Sequence, residues 1–151
     1  MSALSPPHPT MTTPIILLPI DGSPSALRAA RFCADVAKAF KASVVLLNVQ
    51  PLIEDWQTHG LGHDAALAHL NDRAKLALKD AGRPLSEAGL SYATVVEFGD
   101  AAEVIAQVAE SRQCNHIIMG TRGQSGVNGL LMGSVGTKVL HLVSAPVTFV
   151  H

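Results

Sequence analysis

Six of the chain's twelve glycines lie between Gly120 and Gly136, in GTRGQSGVNGLLMGSVG, directly behind the apolar run HIIM. Glycines after a buried strand let backbone amides come close to a ligand, and Gly133 and Ser134 stand at the start of a helical pattern. Free amides and the positive end of a helix dipole suit an anion there, most often phosphate. Asp21, in PIILLPIDGSPSA, is a second polar group set directly after an apolar run. Two familiar phosphate motifs do not fit. A Walker A loop needs lysine after its last glycine, whereas Thr137 and then Lys138 follow Gly136, and no GxGxxG follows the first apolar run. Glycines at intervals of three and four also suit a helix face packed against a neighbour. The four from Gly120 to Gly129 would cost such a helix about 3 to 4 kcal/mol relative to alanine, which favours a loop.

Other chemistry is less well supported. His59 and His63 have i, i+4 spacing but no HExxH pattern or thiolate partner, so no metal site is expected. Cys33 and Cys114 lie far apart in apolar surroundings and read as buried, reduced thiols. The formal net charge is -1, and the 11 Lys and Arg form no cluster, which argues against a surface for nucleic acid or anionic lipid. A small compact ligand is compatible with this balance.

The elements that must position these residues follow from the apolar patterning. At 151 residues, 48% hydrophobic and 15% charged, the chain suits one core. Residues 1–13 are rich in Pro, Ser and Thr without periodicity and read as a disordered tail; residues 14–151 form the domain. PIILLPID, SVVLLNV, YATVVEF, HIIMG and VTFV read as strands. The first helix opens with Ser23 as N-cap and Pro24 behind it, with Leu27, Ala30, Ala34, Ala37 and Phe40 along one face. Residues 51–63 read as a loop. A second helix carries Leu67, Leu70, Ala74, Ala77, Ala81 and Leu85, is weakened by Gly82 and Pro84, and stops at Gly89. Asp100 caps a third, with Glu103 reaching back in a capping box. The fourth turns Val135, Val139, Leu142 and Val143 inward. This alternation predicts an α/β, doubly wound, Rossmann-like domain with a five-stranded, mostly parallel sheet and helices on both faces. Ligands of such sheets bind beyond the carboxyl ends of the strands, where the loops of Asp21 and of the glycines lie. The start has no basic and apolar signal pattern, and no apolar run approaches the roughly 18 residues of a membrane span, so a soluble cytoplasmic protein is expected.

Gly120, Gly123, Gly133 and Ser134 make GxxG, nine residues, then GS, which resembles the nucleotide-binding signature of the universal stress protein family. LPIDGSPSA, LLNV, GDAAEVI and APVTFV resemble further family segments in the family's order, so the resemblance covers roughly residues 14–151. One branch of that family keeps the glycine signature and binds ATP, and another lacks it. The resemblance implies the adenine nucleotide alpha hydrolase-like fold and assigns a site. Asp21 would contact adenosine with Pro19 shaping the pocket, and Val49 would meet the adenine. Met119 and Gly120 would lie along the ribose, and Gly123 would turn the loop toward the phosphates. Gly133, Ser134 and Val135 would cradle the phosphates. Bland roles remain open beside these: helix capping for Asp21, plain core for Val49 and an N-cap for Ser134. Arg122 reads as an ordinary surface arginine. Residues 124–132 read either as a lid over the nucleotide or as a contact with a partner subunit.

The resemblance further implies ATP with Mg as the ligand, a homodimer paired through the C-terminal strand, and an unidentified protein partner that senses the nucleotide state. Two other readings stay beside this one. The same site could support slow ATP hydrolysis or phosphate transfer, or the chain could be a dimeric scaffold with an empty site.

Overall fold

The computed structural model describes residues 12–56, 60, 62–122 and 132–151. Residues 1–11 of the expected tail, Gly123, and most of the expected lid lie outside these. Among the described residues five strands form one sheet: β1 (Ile15–Pro19), β2 (Ser43–Gln50), β3 (Tyr92–Phe98), β4 (His116–Gly120) and β5 (Val147–Val150). Their order is β3-β2-β1-β4-β5, and every pairing is parallel, so the sheet is wholly rather than mostly parallel.

The continuous apolar runs are explained by cover on both faces. Alternate residues of one strand point to opposite sides, so Ile16 and Leu18 join α1 (Pro24–Phe40) and α3 (His63–Glu87) in one core. Leu17 joins α4 (Ala101–Ser111) and Val139 of α5 (Ser134–Leu142) in the other. Leu17, Leu18, Leu46, Leu47, Ile117 and Ile118 are all 0% exposed, as a doubly covered parallel sheet requires. Cys33 and Cys114 are free and buried, and burial pushes the Cys33 thiol up to about 12, which keeps it inert at neutral pH.

Several expected details differ. A one-turn helix, α2 (Ile53–Trp56), occupies part of the expected loop over 51–63. Phe40 is 70% exposed, because it is the last residue of α1 before Lys41 turns left-handed at φ 52°. Ala66 rather than Leu67 is the fully buried residue in the first turn of α3. The helix runs on through Gly82 and Pro84 to Glu87 and stops at Gly89, at φ +72°, as expected. Gly82 lies under Tyr92, where an added Cβ would come 2.5 Å from the Tyr92 hydroxyl oxygen. In α5, Gly136 and Val139 face inward, so the neighbouring stripe carrying Val135 and Leu142 is 37% and 46% exposed. Gly136 holds that inward place because its missing Cβ makes room for Phe149.

Asp100 caps α4 as expected, its Oδ1 accepting from Glu103 N at 3.0 Å. Glu103 does not reach back, however. Its Oε1 and Asp100 Oδ1 each accept from Lys138 Nζ at 3.1 Å, which ties the start of α4 to α5. The Glu103 amide and Lys138 together hold the Asp100 carboxyl below its ordinary value of 3.8. Its contribution is therefore present above that value and is lost as pH falls through the lowered one. Replacing Asp100 with Ala is expected to cost about 1 kcal/mol, a fall of about 2–4 °C in thermal midpoint. The gap between the two proteins should narrow in acid, as the charged part of the contribution is lost while the neutral carboxyl can still accept from Glu103 N; a gap that does not change with pH would contradict the role of the carboxylate.

Candidate functional site

The sheet reverses its winding between β1 and β4, and the loops beyond these strands build the candidate site. Beyond β1, Ile20 N donates to Leu47 O at 2.8 Å, and Ile20 O accepts from Asn48 Nδ2 at 2.8 Å. Asn48 is 1% exposed, and its Oδ1 accepts from Gln50 Nε2 at 2.7 Å, so a buried amide chain fixes the strand end that presents Asp21. Gly22, at φ +83°, then turns the chain into α1. Asp21 is exposed and is not the N-cap. Its Oδ1 accepts from Ser23 N at 2.9 Å, while Ser23 Oγ caps the helix by accepting from Ala26 N at 3.2 Å.

Beyond β4 the chain runs close against the start of α1. An added Cβ on Gly120 would lie 2.5 Å from Ser25 Oγ and 2.8 Å from Ala26 N, so the glycine is required by this seam whatever a ligand needs. Thr121 is 4% exposed; its N–H donates to Val150 O at 3.0 Å, and its carbonyl accepts from Gly133 N at 2.6 Å. Gly133 is the N-cap of α5, and the first bond inside that helix runs from Thr137 N to Gly133 O at 3.1 Å.

Three helix starts, those of α1, α4 and α5, border the space between these loops, and they differ in a way that matters for an anion. The start of α3, on Gly62, also lacks a side-chain cap, but no α3 residue lines that space. Ser23 caps α1 and Asp100 caps α4 with side-chain oxygens, whereas Gly133 offers α5 no side chain. Ser134, Val135 and Gly136 precede the first intrahelical bond, so their amides have no carbonyl partner in the helix and carry its positive end. Gly133's own amide is engaged by Thr121, so the donor set starts one residue later than the glycine signature suggests.

These elements border a crevice with about 680 Å³ of empty space, counted together with the solvent it opens onto. It is lined by Pro19, Asp21, Val49, Met119, Gly120, Gly133, Ser134 and Val135, so the structure brings together all the expected site residues except Gly123, which lies outside the described residues. Leu47, Val49, Ala101, Ile105 and Met119 supply an apolar part, and the amides of α5 a polar one. Asp21 and Arg122 are the ionisable groups among the described lining residues. Arg122, expected as a plain surface residue, is exposed and lines the crevice as well. Ala101 and Ile105 were not anticipated; they arrive because α4 crosses back from the β3 edge to deliver β4. Ser23 was expected only as a cap, but its hydroxyl also reaches Arg122 O at 3.2 Å. Among the described residues no cluster of three His, Cys, Asp or Glu forms a metal site, and no helix is long and apolar enough to cross a membrane.

The seam predicts the effect of one methyl group. Gly120→Ala must displace α1 backbone and is expected to lower stability by about 1–3 kcal/mol in denaturant unfolding, with an unchanged midpoint contradicting the close approach.

Comparison with known proteins agrees with this architecture. The sequence model of the universal stress protein family matches residues 13–151. Universal stress protein MJ0531 of Methanocaldococcus jannaschii is 30% identical over 142 residues, covering 89% of this chain and 80% of its own. The solved structure of hypothetical protein MJ0577 superposes with a TM-score of 0.75 at 27% identity, over 93% of this chain and 96% of that one. A universal stress protein solved in complex with cAMP shares the fold, with a TM-score of 0.72 at 21% identity over 91% and 97% of the two chains. The chain belongs to the universal stress protein family.

Proposed function

We propose that the crevice binds an adenine nucleotide, with ATP as the ligand, and that the protein is a nucleotide-dependent stress-response or signalling module. The observation that carries this reading is the meeting of an apolar slot with α5, which alone of the three helix starts lining the crevice has no side-chain cap. An adenine ring suits Val49, Ile105 and Met119, and phosphate oxygens suit the amides of Ser134, Val135 and Gly136. Pro19 and Asp21 would hold the adenosine, Met119 and Gly120 would flank the ribose, and Gly123, Gly133 and Ser134 would border the phosphates. The fold neighbour solved with cAMP supports an adenine nucleotide as the ligand class.

A magnesium ion would bind mainly through phosphate oxygens and water, since Asp21 is the one carboxylate among the described lining residues. The protein would work in the cytoplasm as a homodimer joined through β5, whose exposed edge is apolar and short, with a further protein reading the nucleotide state.

Acid extraction of the purified protein, followed by mass identification, is expected to release an adenine nucleotide. Protein that yields none and also fails to bind ATP in calorimetry would refute the proposal. Gly133 has φ -74° and ψ 168°, a conformation open to any residue, so Gly133→Glu tests space and charge rather than backbone strain. Its carboxylate would stand beside the phosphate position, and ATP binding should fall below detection while the fold persists. Unchanged affinity would move the ligand elsewhere.

A further inference from the structure

Ser25 lies in the first turn of α1, one residue beyond Pro24 and two beyond the N-cap, where helix capping asks nothing of its hydroxyl. It is nevertheless 3% exposed, and its Oγ donates to Arg122 O at 2.5 Å. Arg122 N lies 3.4 Å from the same oxygen, and the neighbouring hydroxyl of Ser23 donates to Arg122 O at 3.2 Å. Two buried serines thus clasp one peptide 97 and 99 residues away in sequence. The absent side chain of Gly120 makes the room, since a Cβ there would fall 2.5 Å from Ser25 Oγ.

The clasped peptide adjoins the one that holds α5. Thr121 N is bonded to Val150 O and Thr121 O to Gly133 N, so the Thr121–Arg122 pair is fixed on three sides by β5, α5 and α1. Ser25 is the side chain through which α1 acts on this pair without also capping its own helix. Gly133 in turn sets the direction of the Ser134, Val135 and Gly136 amides. On the other wall of the crevice, Asp21 is fixed by Ser23 N, and Val49 by its place in β2, neither of which depends on the Ser25 hydroxyl.

We propose that Ser25 is a positioning residue for the phosphate end of the site: through Arg122 O it holds the Thr121–Gly133 bond that aims the α5 amides. This inference rests on the nucleotide reading above. Without the hydroxyl, Arg122 O loses the nearer of its two serine partners, the start of α5 gains freedom, and a bound phosphate must pay to order it. The adenosine end is untouched. A serine that only glued the fold would weaken phosphorylated and unphosphorylated ligands alike, or neither.

The test measures affinity for ATP with magnesium and for adenosine, by calorimetry, in the wild-type protein and in Ser25→Ala. The expected result is a loss of about fivefold or more for ATP, the scale of one hydrogen bond, with adenosine within about twofold. Equal losses for both ligands, or no loss for either, would overturn the positioning role and leave the nucleotide reading standing. A wild-type protein that binds neither ligand would sink the nucleotide reading and this inference with it. If Ser25→Ala does not fold, Ser25→Cys keeps the volume with only a weak S–H donor and carries the same expectation.

Discussion

A parallel strand reaches its neighbour only through a crossover, and in this sheet β1 has β2 on one side and β4 on the other. The chain leaves β1 over one face by way of α1, and returns from the β3 edge over the opposite face by way of α4. The loops beyond β1 and β4 therefore diverge, and the crevice between them is a consequence of strand order before any residue in it is chosen. What residue choice adds is a lining: aliphatic side chains from β2, β4 and α4, and backbone donors from the start of α5.

The three helix starts that line the crevice show how local chemistry allots that space. A helix N-terminus with its own side-chain acceptor has little left to offer a ligand. Ser23 and Asp100 satisfy α1 and α4 in this way, and Lys138 further neutralises the carboxylates at the start of α4. Gly133 leaves α5 unsatisfied. The same residue is not itself an available donor, because Thr121 O takes its amide, so it acts as the fixed pivot from which the next three amides are directed.

Much of the fold was legible because a strand covered on both faces reads as an unbroken apolar run. PIILLP, SVVLLNV and HIIM have that form, and the runs between them have helical spacing. Facing was less legible where a helix lies at the margin of the sheet. The pattern of α5 puts Val135, Val139 and Leu142 at three- and four-residue intervals, yet packing selected the stripe of Gly136 and Val139, because only glycine lets the helix close on Phe149. Leu67 lost its expected place to Ala66 on α3 in a similar way, a small residue taking the buried position. For the site, the glycines and Asp21 marked both loops from sequence. The contribution of Ala101 and Ile105 was hidden, since it depends on which strand α4 crosses. The reason for Gly120 was hidden too: the seam with Ser25 joins segments almost a hundred residues apart, and no local pattern announces it.

The central claim is that the α5 amides receive the phosphates of a bound nucleotide. Amide NMR of the labelled protein during titration with ATP tests it most directly. The account predicts that the N–H signals of Ser134, Val135 and Gly136 shift strongly with ATP and far less with adenosine, while those near Val49 respond to both. Saturating ATP that leaves the three α5 amides unmoved, with shifts clustered elsewhere on the protein, would contradict it.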